Sequence, residues 1–149
     1  MTQPQTNTIK PGKLVIKRTI PATADELFDA WLDADSLSQW MLPGDHRRNT
    51  VTVDARVGGA YEIIMHHQDG DKRHYGEYRG IERNKKLVFT WHSDATRHTE
   101  TLVTVEFIAA SDSTEIVLTH ERLPDHDSAQ GHTRGWTRGL ELLEAHLKH

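Results

Sequence analysis

The last nineteen residues, GHTRGWTRGLELLEAHLKH, limit most strongly what this chain can become. Trp136, Leu140, Leu143 and Leu147 recur at spacings of four, three and four. That spacing is one stripe of an α-helix and does not suit a strand. Gly135 and Gly139 flank Trp136, where glycine costs about 1 kcal/mol relative to alanine. Glycines kept at that cost imply close approach by a sheet backbone or by a ligand. Asp127 or Ser128 is the expected cap, and Lys148 suits the negative end of the helix dipole. Counted from Ser128, the helix has about twenty residues and is roughly 30 Å long. Such a helix needs a broad apolar surface to lie on.

The rest of the chain reads as that surface. Met1 to Gly12 is polar, holds Pro4 and Pro11, and is expected to be a disordered arm. The folded domain is expected from residue 13 to residue 149. Leu14 to Ile20 is a strand that Pro21 ends. Thr23-Ala24-Asp25-Glu26 is a capping box opening a short helix with Leu27, Phe28 and Trp31 on one side. A second short helix groups Leu37, Trp40 and Met41 and ends at Pro43-Gly44.

The period then changes to two. Val51, Val53, Ala55 and Val57 alternate with polar residues up to the bend at Gly58-Gly59. Tyr61, Ile63 and Met65 follow, and Asp69-Gly70 supplies a hairpin turn. Further alternating faces are carried by His74 to Ile81, by Leu87, Phe89 and Trp91, by Val103, Val105 and Phe107, and by Ile116, Leu118 and His120. Turn signals recur about every ten residues, so the strands are antiparallel neighbours. Each strand is apolar on one face only. The expected fold class is α+β: a curved antiparallel sheet of six to seven strands wrapped around the long C-terminal helix, with two short helices after the first strand.

Composition excludes several function classes. The chain has no cysteine, so it has no disulfide, thiolate nucleophile or cysteine zinc site. A net charge of −4 argues against nucleic-acid binding. No apolar run is long enough for a membrane span. The expected location is cytoplasmic. No phosphate loop or dinucleotide fingerprint is present, and no cofactor is expected. Gly76 and Gly80 lie in a strand, where they allow curvature.

Histidines are the remaining candidates for chemistry. His120 is in phase with Ile116 and Leu118 and should point inward, either as a general base or as a core histidine satisfied by a neighbour. His132 lies one helical turn before Trp136 and should approach His120. His66 and His67 point to opposite sheet faces and cannot share a metal, and His67 with His74 lacks a third ligand. Metal is therefore not expected.

The ordered set of motifs resembles the helix-grip fold of the START-like superfamily, which includes the polyketide cyclases. It is most similar to the family of Hsp90 ATPase activator homologues. The resemblance is carried by Leu14-Val15-Ile16 with Arg18, by Ala30-Trp31 with Leu37 and Trp40, and by Val57-Gly58-Gly59-Ala60-Tyr61. It continues through Lys86-Leu87-Val88-Phe89-Thr90-Trp91, Leu118-Thr119-His120-Glu121 with Leu123-Pro124, and His132-x-x-Gly135-Trp136 with Leu140. Met41 stands where the family usually has an aromatic, and Ala60 and Tyr61 stand where it has Arg and Trp.

The resemblance implies a cavity between helix and sheet for a hydrophobic or amphipathic small molecule. Seven rings, those of Trp31, Trp40, Tyr61, Tyr78, Phe89, Trp91 and Trp136, phase to the interior and suit such a hollow. Ile63, Met65, Val103, Val105, Leu118 and Leu140 are its expected aliphatic lining. His120 and His132 are its expected polar contacts. Two alternatives accompany this reading. One is a cyclase or hydrolase using His120. The other is a chaperone-interaction module, although in that family co-chaperone activity goes with an additional N-terminal domain.

Overall fold

The structure is a computed structural model, and it describes residues 5–41 and 48–147. The expected helix stop at Pro43-Gly44 lies outside the described residues, as does Lys148. Eight strands form one antiparallel sheet. They are β1 (Gln5–Lys10), β2 (Lys13–Ile20), β3 (Asn49–Val53), β4 (Ala60–His67), β5 (Gly70–Glu82), β6 (Lys86–Trp91), β7 (Thr101–Ala109) and β8 (Thr114–Glu121). The spatial order is β1-β2-β8-β7-β6-β5-β4-β3. Helices α1 (Ala24–Leu32) and α2 (Ala34–Trp40) follow β2, and α3 (His126–His146) ends the fold.

One expectation is corrected at the start of the chain. The arm expected to be disordered forms β1 from Gln5 to Lys10. Gly12 turns the chain at φ +69°, and β1 then pairs with β2 over its whole length. Side chains hold it from the other side. Gln5 donates to Thr137 on α3 (2.9 Å) and accepts from Arg18 (2.8 Å), which also bridges Glu144 (3.0 Å). None of these partners is a neighbour in sequence. This strand brings the count to eight.

The alternation expected to reach Val57 also stops early. β3 ends at Val53, and Val57 is 59% exposed. Gly59 forces the change, because a Cβ there would lie 2.1 Å from the Asp54 carbonyl oxygen. Gly76, within β5, is equally crowded, since a Cβ there would meet the Thr90 carbonyl oxygen at 2.0 Å. The strands there approach too closely for any side chain, as the curvature of the sheet requires.

The helices follow their sequence signals. Thr23 and Glu26 form the expected capping box of α1. The cap of α3 is Asp125, earlier than expected, with its carboxylate accepting from the Ser128 backbone N–H at 2.8 Å. Trp136, Leu140 and Leu143 are buried on the stripe of α3 as expected. Leucines buried this way contribute roughly 1.5–3 kcal/mol each. Trp40 caps the packing by lying 3.7 Å from where a Gly139 Cβ would be, and its indole N–H donates to the Ala30 carbonyl at 3.0 Å.

Candidate functional site

The inward rings pack mainly on each other. Trp31 meets Trp40 at 4.8 Å between ring centroids, and Tyr61 meets Tyr78 and Phe89 at 5.5 and 5.6 Å. The void left among Trp31, Tyr61, Ile63, Tyr78 and Phe89 is about 10 Å³, no more than one water-sized probe occupies. Trp40, Val103, Val105, Leu118 and Leu140 are buried core and line neither this void nor the cleft described next. The space among these rings is therefore filled by the rings themselves.

The open space lies to one side. A cleft of about 600 Å³ runs between β4–β5 and α3, along the helix from Gly131 to Gly139. Met65, Trp91, His132 and Trp136, four of the expected residues, are on its wall. The wall also holds residues not expected to line the ligand site: Met41, His67, Lys72, His74, Arg134 and Arg138. On the helix side it is formed by Gly131, Gly135 and Gly139, one turn apart. A Cβ on Gly135 would meet nothing within 4 Å, so that position opens directly onto free space. Of the three glycines, Gly135 and Gly139 are the ones whose cost in the helix implied close approach by a sheet backbone or a ligand.

His120 takes the structural option. It is fully buried and does not line the cleft. Its ring lies against two residues that do, 4.7 Å from His132 and 6.1 Å from Trp136 between centroids. Thr101 gives its one hydroxyl hydrogen to the Trp91 carbonyl (2.5 Å), so His120 Nε2–H must donate to Thr101 Oγ1 (2.8 Å). His120 Nδ1 then accepts from the Trp136 indole N–H (3.1 Å). Both ring nitrogens are engaged in the neutral form. Burial, together with neighbouring His132, pushes the His120 pKa well below the usual histidine value. A ring so held has no free nitrogen to take a substrate proton.

His132 donates from Nδ1 to the Ser128 carbonyl (2.8 Å), and burial lowers its pKa. His66 is turned away from the cleft, bonded to Asp71 and Thr50 at 2.8 Å each. His67 lines the cleft, so the two adjacent histidines do face opposite ways. Among the described residues, no three metal-ligating side chains gather around one point. His74 is half-buried beside Trp91, 5.1 Å between centroids, and the desolvation of its ring brings its pKa down to about 4. His74 Nδ1 and the Trp91 indole N–H are shielded from solvent without a hydrogen-bond partner.

The profile of the "Activator of Hsp90 ATPase homolog 1-like protein" family matches residues 21–148. The chain belongs to this family. Solved structures similar to this member include a protein from Arthrobacter aurescens, with 19% identity and a TM-score of 0.82 over 95% of this chain and 90% of that one. Protein CV1439 from Chromobacterium violaceum has 22% identity and a TM-score of 0.77 over 91% and 96%. PFC0360w, an HSP90 activator from Plasmodium falciparum, has 25% identity and a TM-score of 0.73 over 89% and 94%. No curated protein matches the chain. Among the described residues of this family member, no helix is long and apolar enough to cross a membrane.

Proposed function

We propose that the protein binds a hydrophobic or amphipathic small molecule in the cleft beside α3. The observation that carries this reading is the cleft itself: about 600 Å³, walled by Trp91, Trp136, Met41 and Met65 and by three glycines of the helix. Its size and its mix of apolar walls with a few polar groups are those of small-molecule sites. The engagement of both His120 nitrogens supports binding over catalysis by that residue. Native mass spectrometry of freshly purified protein tests the reading. A co-purifying mass that denaturation releases is expected, and Gly135→Leu should abolish it.

A second reading is contact with an Hsp90-type chaperone. It is supported by the family description and by the description of the Plasmodium falciparum neighbour as an HSP90 activator. Stimulation of chaperone ATPase turnover by the purified chain is its test. A chain that neither binds the chaperone nor changes its turnover sinks that reading.

A further inference from the structure

The charge on the cleft wall differs in sign from that of the whole chain. Overall, 22 acidic residues outnumber 18 Lys and Arg. On the wall, Lys72, Arg134 and Arg138 face a single acidic residue, Asp94. Asp94 is already bonded to His98 at 2.8 Å. Arg138 has Glu141 at 3.6 Å along its own helix. Lys72 and Arg134 have no acidic partner among the described residues. They approach from opposite sides, Lys72 from β5 and Arg134 from α3.

A second observation points to a ligand independently of charge. Trp91 is only 4% exposed and belongs to the cleft wall, yet its indole N–H has no acceptor. A buried donor left unpaired is destabilising unless something answers it. The neighbouring His74 Nδ1 is unpartnered too. The other two indoles of the cluster for which a bond is described, Trp40 and Trp136, each have an acceptor. The cleft wall thus has a hydrogen bond to offer at Trp91 and two cations without an acidic partner.

Resting on the binding reading above, we infer that the ligand is an amphipathic anion. Its apolar body lies along Gly131, Gly135 and Gly139 against Trp91 and Trp136. Its acceptor oxygens answer Lys72, Arg134 and the Trp91 N–H. Neutral hydrocarbons of the same length fill the same space but leave these groups unanswered.

Matched pairs test this: laurate against dodecanol, and octanoate against octanol, each titrated below its micelle threshold at pH 7.5 and followed by tryptophan emission. The carboxylates are fully ionised at that pH. In at least one pair the carboxylate should bind ten-fold or more tighter than the alcohol, and 0.5 M salt should shrink that preference. The double variant Lys72→Gln/Arg134→Gln should bind both members of the pair equally. Retention of the wild-type urea midpoint will show that it is folded. If an alcohol binds as tightly as its carboxylate, the anion inference is overturned while the cleft reading stands. If no member of either pair binds, both fall together. If the double variant keeps the full preference, the positions named here are wrong.

Discussion

Trp136 on α3 donates its indole N–H to Nδ1 of His120 on β8, 3.1 Å away. The thread continues through Thr101 on β7 to the carbonyl of Trp91 on β6. The Trp91 ring then returns to Trp136, 4.8 Å between centroids. One long helix and three strands are thereby fixed in a single register, and the helix face that borders the cleft is set with them. This gives His120 a structural role, with consequences that mutation can measure.

Truncating Trp136 should be costly. Trp136→Ala should destabilise by about 3–5 kcal/mol, as removal of a large buried aromatic does. Trp136→Phe keeps most of the ring but leaves His120 Nδ1 without its donor, and should cost about 1–3 kcal/mol. Urea melts measure both. A loss below about 1 kcal/mol for the alanine variant would show that α3 does not grip the sheet here.

The direction of the Thr101 bond is also testable. Thr101→Val removes the acceptor for His120 Nε2–H and should cost about 1–3 kcal/mol, whereas Thr101→Ser should cost much less. Equal losses for the two variants would mean that the hydroxyl does not take part in the thread.

Stability should fall on acidification. Burial, the largest effect, holds His74 at about 4, below its ordinary 6.5. His120 and His132 are lowered in the same direction. The unfolded chain takes up protons that the folded chain refuses. The stability conferred by these neutral rings is therefore complete above about pH 6.5 and lost as pH falls toward 4. For His74 alone the loss is on the order of 3 kcal/mol. Urea midpoints at pH 7.5, 6 and 4.5 should show it, with a smaller decline for His74→Leu. Identical declines in the two proteins would argue against a neutral buried His74.

What the sequence disclosed depended on how local the signal was. The capping box at Thr23 and Glu26 and the stripe of α3 are patterns within a few residues, and both appear as expected. Alternation also placed Phe89, Val105 and Leu118 inside. It could not show that the rings fill one another's space, because that depends on distances between strands. β1 was missed because what holds it, Arg18 and Thr137, comes from elsewhere in the chain. Lys72 and Arg134 carried no local pattern in the sequence, and only the facing of β5 and α3 brings them to one cleft. Gly135 and Gly139, with His132 and Trp136 beside them, had marked the helix side of that face.

The most direct measurement is a titration of wild type and Gly135→Leu with a neutral environment-sensitive dye such as Nile red. A Cβ at Gly135 would meet no neighbour within 4 Å on the cleft wall, while the helix gains a better former than glycine. Wild type should give one saturable site with a change in tryptophan emission. Gly135→Leu should lose at least ten-fold in dye affinity while its urea midpoint stays the same or rises. Equal dye binding by the two proteins, or no saturable binding by wild type, would contradict the cleft as the binding site.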